Sequence, residues 1–369
     1  MQHQVERYPQ LEVHLDKLRE NLAALKQCCQ RSCIDICGIV KAFHGKPEVA
    51  QLYEQAKLSS IGSSRLEQLK ELKQAGFQTP MFLIRIPMAS ELRDVVEWTE
   101  YSLQSEWSTL EQLNAITQEY QKIHQVVLMV DLGDLREGYW DWEELVQVAC
   151  RVEAMPYVKL AGVGTNLGCY GTIQATPEKM EQLVQVAEQV EYAIGRKLDI
   201  LSGGASTSIH MVLDGTMPKR INHLRLGECI LLGGIWGCEM EFMHKDIFTF
   251  HTQVIESKVK PSYPVGELSV DAFGHVRTYV DRGNRRRALL AAGRADYGEP
   301  DDLLPREAGI KVLGASSDHT ILDVHDAART IEVGDVVSFD LCYATLVYLS
   351  NSRNVHWRFS DSDHTKVRE

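Results

Sequence analysis

The chain has 369 residues, 44% of them apolar and 24% charged, with a formal net charge of −12. These are the values of a folded globular protein with room for two domains, and the acidic balance excludes a general nucleic-acid surface. No run approaches the roughly 18 apolar residues of a membrane span, and the polar segment Met1–Arg7 does not read as a secretory signal.

In chain order, Leu11–Leu15 alternates as a strand, and Leu15, Leu18, Leu22 and Leu25 recur at helical spacing over 15–28. Cys28, Cys29, Cys33 and Cys37 straddle that helix end and the next strand. They form no Cys-x2-Cys pair and read as structural thiols rather than a metal site, and the nine cysteines together suggest a reducing, cytoplasmic setting.

The run Cys37–Val40 ends abruptly in Lys41, and a turn containing Gly45 precedes a helix over 47–57. A lysine at the end of a buried strand can lose its proton and act as a nucleophile. In a parallel barrel that end of the strand is the active-site face.

From there strands and helices alternate. Strands read at Ser59–Ser63, Met81–Ile86, Tyr101–Leu103, Val126–Asp131, Val158–Gly164, Ile200–Gly204 and Leu224–Gly227, with helices over 65–76, 90–98, 108–121, 142–154 and 177–195 between them. Eight units from Ile39 within about 200 residues predict an α/β fold, a (β/α)8 barrel. Past residue 243 the helical period disappears. Phe248–Ile255 and Thr330–Val337 are β-rich segments joined by Gly/Pro/Asp turns. The expected division is a barrel over 10–242 and a mainly β domain over 243–369, with residues 1–9 packing on the latter. Arg282, Arg285, Arg286 and Arg287 read as a solvated loop, and the polar stretch after Asn351 as a frayed end.

Three strand ends carry groups suited to an anionic, planar ligand. Asp131–Gly138 puts Arg136 in the loop after one strand; Ser202–Ser208 offers glycines and hydroxyls entering a helix; Arg225-Leu226-Gly227-Glu228 adds a second arginine. Barrel enzymes commonly bind phosphate after strands seven and eight, where the last two segments fall. A lysine opposite such a cradle suggests pyridoxal phosphate held as a Schiff base.

The segment Met129–Tyr139, the Ser202-Gly203-Gly204 turn and Gly314–His319 give the chain a resemblance, over nearly its whole length, to the alanine-racemase-like (fold-type III) pyridoxal-phosphate enzymes. The resemblance implies a homodimeric amino-acid racemase using pyridoxal 5'-phosphate, with ornithine as the leading substrate. It assigns the Schiff base to Lys41, a place near the cofactor oxygen and substrate carboxylate to Arg136, and the pyridine nitrogen to Arg225. Phosphate contacts fall to Ser206 with its neighbour Thr207, to the amides of Gly227 and Glu228, and to Tyr343. Asn166 stands where the family has a ring-packing histidine.

The resemblance also implies that Ser317 and Asp318 reach the active site of the partner subunit. In the segment where the family carries its second catalytic base, a tyrosine, this chain has Arg294. Arginine is a poor base, because its pKa exceeds about 12. Asp296, Tyr297, Asp318 and His319 are the candidates for that proton transfer and for holding a substrate ammonium. The missing tyrosine keeps a dehydratase, aldolase or decarboxylase on the same fold in view. A cofactor-binding protein without turnover, and an aldolase whose lysine binds a carbonyl substrate directly, are further alternatives.

Overall fold

A computed structural model of the chain describes residues 6–235, 238–271, 273–276 and 278–361. The chain divides into two units, one spanning Leu18–His244 and the other formed by the chain before Leu18 and after His244.

The first unit is a closed eight-stranded parallel barrel. Its strands are β2 (Asp35–Ile39), β3 (Ser60–Ser63), β4 (Met81–Leu83), β5 (Tyr101–Gln104), β6 (His124–Met129), β7 (Val158–Gly164), β8 (Ile200–Ser202) and β9 (His223–Leu226). β2 closes the ring by pairing with both neighbours, Cys37 lying opposite Ser60 of β3 and opposite Arg225 of β9. Because side chains alternate along a strand, each strand feeds two cores. Cys37, Ile39, Phe82, Leu103, Val127, Met129 and Ala161 pack together as one cluster. Val126, Leu128, Val158, Leu160, Val163 and Leu201 join the helices in a second, larger one. The helices start and stop on local signals. Asp141 accepts hydrogen bonds from the amides of Glu143 and Glu144, and Thr176 caps a helix that begins at Pro177.

The second unit is an eight-stranded, mainly antiparallel sheet. Its long strand Phe248–Pro261 pairs with Asn284–Leu290 on one side and Val336–Leu341 on the other. β1 (Gln10–His14) belongs here and not to the barrel: it pairs with Phe248–Pro261 and, in parallel, with His356–Ser360. The stretch read as a frayed end is therefore a strand as far as Ser360, where Trp357 and Phe359 alternate opposite Leu11 and Val13; residues 362–369 lie outside the described residues. The basic cluster is likewise not a loop from Asn284 onward. Arg285–Arg287 sit in a strand, and the Arg285 guanidinium bonds Asp323 at 2.6 Å and Asp326 at 2.5 Å. No helix among the described residues is long and apolar enough to cross a membrane.

Candidate active site

Cys37 and Ile39 belong to the inner cluster, and Lys41 follows two residues further along. The strand ends because Val40 turns into the helical region (φ −96°, ψ −2°) and Lys41–Phe43 forms a short 3-10 turn. That turn is anchored by Phe43, buried edge-on against Tyr53 with ring centroids 5.6 Å apart. Lys41 itself is half-buried. Burial raises the Glu228 carboxyl above its ordinary value, and the charge of Lys41 pulls it partly back, which sets the two side chains in one electrostatic neighbourhood.

The turn after β8 and the end of β9 are joined to each other. The Gly203 amide donates to the His223 carbonyl, and the Arg225 amide to the Gly204 carbonyl, both at 3.0 Å. Ser206, 5% exposed, accepts at Oγ from the amides of Gly227 and Cys229, each at 3.3 Å. Thr207 donates its hydroxyl to the Leu167 carbonyl at 2.9 Å and so ties this turn to the loop after β7.

Arg225 is 3% exposed. Its Nη1 donates to Ser202 Oγ and its Nη2 to the Thr165 carbonyl at 2.7 Å. Ser202 in turn sits 2.9 Å from His223 Nδ1. Burial pulls the guanidinium down to about 10 and the His223 imidazole to about 3, the latter also repelled by Arg225. A buried cation is costly without a counter-charge, yet the groups bonded to Arg225 are neutral. Asn166 nearby in sequence has a buried Nδ2 with no hydrogen-bond partner among the described residues. These donors fit an acceptor-rich ligand such as pyridoxal phosphate.

Most of the Asp131–Tyr139 motif holds its own loop. Asp131 Oδ1 accepts from the amides of Gly133 at 2.8 Å and Leu135 at 3.1 Å. Asp134, 1% exposed, accepts from the amides of Gly168, Tyr170 and Ile173 at 3.0–3.3 Å. Burial alone would raise the Asp134 carboxyl, but these amides together hold it below its ordinary value. Gly138 (φ +130°) has no room for a side chain, since a Cβ there would lie 2.5 Å from the Asp131 nitrogen. At the tip of this loop, Arg136 is clasped by the adjacent Glu137, from Nε and from Nη2, onto both carboxylate oxygens.

Because all eight barrel strands run parallel, the segments carrying Lys41, Arg136, Asn166, Ser206, Thr207, Gly227 and Glu228 emerge at one end of the barrel, and Arg225 lies near the end of the strand, β9, that leads to Gly227. The other candidates lie in the β unit. There, the Arg294 and Ala295 amides donate to the carbonyls of Ser316 at 2.9 Å and Ser317 at 3.0 Å, so the two predicted segments do meet. Only glycine fits at 293, where a Cβ would come within 2.3 Å of the Ser317 oxygen.

Asp296 is 4% exposed, and its carboxylate accepts from the Gly293 amide at 3.1 Å, Ser352 Oγ at 2.9 Å and Asn354 Nδ2 at 3.4 Å. Tyr297 is fully buried, its hydroxyl 2.6 Å from Thr320 Oγ1, which itself donates to the Ala292 carbonyl at 2.8 Å. Burial pushes the phenol up to about 12. Asp318 and His319, by contrast, are exposed on the turn that links two strands, with Ser317 Oγ donating to Asp318 at 2.6 Å. Arg294 bonds Glu299 and lies 4.6 Å above the Phe273 ring. Tyr343 opens the helix Tyr343–Asn351.

Sequence reasoning passed over Glu137 and the Ser202–His223 pair, and it offered Asp131, Asp134 or Glu228 as ion-pair partners for Arg136 and Arg225, whereas Arg136 pairs with Glu137 and Asp134 binds backbone amides. Only the charge of Glu137 directly after Arg136 could have drawn notice, and neighbouring residues in an extended chain point apart.

A parallel barrel with a lysine, two arginines and a glycine-serine turn at one end, followed by a β unit, defines a barrel enzyme class built around one polar mouth. Residues 13–233 match the family described as alanine racemase, N-terminal domain; the chain belongs to that family and is an amino-acid racemase, an isomerase. It is 36% identical to the ornithine racemase of Acetoanaerobium sticklandii over 92% of this chain and 96% of that protein. It is 35% identical to the lysine racemase of Thermotoga maritima over 92% of this chain and 95% of that one. The fold matches an alanine racemase from Clostridium difficile 630 with a TM-score of 0.75 at 19% identity, covering 98% of this chain and 97% of that one.

Proposed function

We propose that the chain racemises an amino acid with a terminal ammonium group, ornithine first, using pyridoxal 5'-phosphate. The observation that carries the reading is the position of Lys41 at a barrel strand end, at the same end as the joined Ser206–Gly227 turn and the buried Arg225. The names of the two full-length relatives, an ornithine and a lysine racemase, support a diamino-acid substrate.

In this reading Lys41 would hold the cofactor covalently. Ser206 and Thr207, the amides of Gly227 and Glu228, and Tyr343 would hold its phosphate; Asn166 and Arg225 would face its ring. The bound cofactor supplies an electron sink for charge at the substrate Cα. Arg136 takes the substrate carboxylate, which its planar fork suits. Lys41 removes or returns the Cα proton on one face. Arg225, though lowered by burial to about 10, stays protonated at neutral pH and withholds a proton from the ring nitrogen.

For the opposite face we assign the proton transfer to His319 and the counter-charge for the substrate ammonium to Asp318. The polar atoms of Asp296 and Tyr297 are already occupied inside the β unit. In the homodimer that the family resemblance implies, these two groups come from the partner subunit. Nine unpaired thiols favour a cytoplasmic setting.

The test is incubation with pyridoxal phosphate and a panel of L-amino acids, followed by chiral chromatography. D-ornithine as the main product is expected. Keto acid, ammonia or an aldol cleavage product in its place would move the chain to the dehydratase or aldolase reading.

A further inference from the structure

We propose that Glu137 is a positioning residue: it grips one edge of the Arg136 guanidinium so that the other edge is aimed to receive the substrate carboxylate. This rests on the reading of Arg136 as the carboxylate-binding arginine.

A guanidinium presents N–H groups along two useful edges, Nε with Nη2 and Nη1 with Nη2. Glu137 occupies the first edge with both of its oxygens. No hydrogen bond among the described residues uses Nη1, so the second edge keeps the parallel pair of donors that a carboxylate accepts bidentately.

The pairing does more than neutralise. The Glu137 side chain is 16% exposed and that of Arg136 41%, so the carboxylate is the more enclosed partner and the arginine faces outward from it. The loop beneath cannot drift, because it closes on its own strand. The Tyr139 amide donates to the Met129 carbonyl at 2.8 Å, and the Asp131 amide to the Tyr139 carbonyl at 3.1 Å. Asp131 and Asp134 fix the stretch between through backbone amides. A long arginine on a fixed loop still has several free torsions; the fork-to-fork contact with its neighbour removes most of them before substrate arrives.

The same geometry argues against the other role a glutamate could have here, counter-charge to a substrate ammonium. Both Glu137 oxygens are engaged, and the pair as a whole carries no net charge toward a cation.

The experiment uses the cofactor-loaded enzyme and propionate, a carboxylate with no amine and no reactive hydrogen. Propionate affinity is measured by calorimetry, and racemisation kinetics are measured alongside for ornithine and alanine. Glu137→Gln should weaken propionate binding about tenfold, because the guanidinium must then be ordered at the moment of binding. It should raise KM more than it lowers kcat, by the same factor for both amino acids. Glu137→Asp should recover part of the affinity. In an Arg136→Ala background, Glu137→Gln should add no further loss. An unchanged propionate affinity, losses that add independently of Arg136, or a loss confined to ornithine would each overturn the proposal. Propionate binding by a wild-type protein that racemises nothing would instead defeat the racemase reading and leave the Arg136–Glu137 coupling to be judged on binding alone.

Discussion

Two groups of polar side chains dominate the molecule, and they differ in what their polar atoms are doing. At the barrel mouth, among the described residues, Arg225 is buried with only neutral groups bonded to it, Asn166 has a buried amide without a partner, and the Glu228 carboxyl is raised by its enclosure. In the β unit, Asp296 accepts three hydrogen bonds and the Tyr297 phenol closes a chain through Thr320 to a backbone carbonyl. The first group is under-satisfied; in the second the Asp296 and Tyr297 atoms are satisfied, although Arg294 beside them has a buried Nε with no partner among the described residues. Buried polar groups are ordinarily satisfied, so the shortfall at the barrel mouth points to a ligand, while the completed network is what a fold requires of itself.

The largest effect is expected at Lys41. Lys41→Ala should remove the visible absorbance of bound cofactor and lower racemisation by at least on the order of 10⁴-fold, because both the covalent anchor and one proton carrier are lost. If borohydride reduction and peptide mapping place the cofactor on a different lysine, the barrel-mouth assignment is wrong. Next in size is His319→Asn, with an expected loss on the order of 10²-fold. Its signature is asymmetry: deuterium wash-in at Cα should fall for one enantiomer far more than for the other. Equal loss from both enantiomers would sink the assignment to the opposite face.

The β unit offers the contrasting experiment. Asp296→Ala strands the Gly293 amide and removes the acceptor for Ser352 and Asn354, at a cost on the order of 2–4 kcal/mol. The enzyme should unfold more readily, yet each folded molecule should keep its turnover. Asp318→Ala touches a solvent-exposed turn and should do the reverse, sparing stability and weakening ornithine more than alanine. Denaturant midpoints and KM values measured on the same two variants would separate a carboxylate that builds the fold from one that meets substrate.

How far all this was legible in the chain follows from the same distinction. The clearest barrel strands stood out because a strand covered on both faces is a continuous apolar run, as in Val126–Val130, and most were followed by a helical period, whereas Tyr101–Leu103 was weak. Lys41 stood out because it interrupts such a run. The role of β1 did not: Leu11–Leu15 alternates correctly, but alternation says nothing about which sheet a strand joins. Nor could spacing reveal that Asp296 and Tyr297 are enclosed. Burial depends on Ser352, Asn354 and Thr320, which are 23 to 58 residues away along the chain. The Asp131 motif was found, but its specificity lies largely in Asp131, Asp134 and Gly138 holding a loop, with Arg136 and Glu137 as its working tip.

The barrel unit also carries buried groups that make it sensitive to acid. Two serine–histidine pairs lie buried there, Ser202 with His223 and Ser102 with His124, each with an oxygen-to-nitrogen distance of 2.9 Å. In both pairs another side chain, Arg225 or Gln104, also donates to the serine oxygen, and burial favours the neutral imidazole. Burial holds both histidines at about 3, against an ordinary 6.5. The unfolded chain takes up these protons as pH falls through 6.5, whereas the folded barrel refuses them until about pH 3, so stability must decline across that window. The slope is about 1.4 kcal/mol per pH unit for each histidine. Denaturation midpoints measured between pH 6.5 and 5 should show these two histidines contributing an uptake on unfolding that rises from about one proton to nearly two. His223→Gln should halve it.

The smallest expected effect is at Tyr297, and it tests the comparison most directly. The phenol is the donor to Thr320, since the Thr320 hydrogen already goes to the Ala292 carbonyl. Tyr297→Phe keeps the ring in its apolar site and leaves Thr320 still bonded to Ala292, so the cost should be about 1 kcal/mol, one ordinary hydrogen bond. Burial has pushed the phenol up to about 12 from an ordinary 10, which means the folded unit keeps this proton where the unfolded chain would release it. The stability it contributes is therefore complete below pH 10 and is lost as pH rises toward 12, a decline the phenylalanine variant should lack. A proton carrier needs the opposite property, a group that exchanges near the working pH with a path to the substrate. Turnover of Tyr297→Phe should match the parent enzyme when both are measured well below their melting temperatures. A loss of a hundredfold or more with stability unchanged would show that a completed hydrogen-bond chain in the core can still serve chemistry, and the division between the two groups of side chains would then fail.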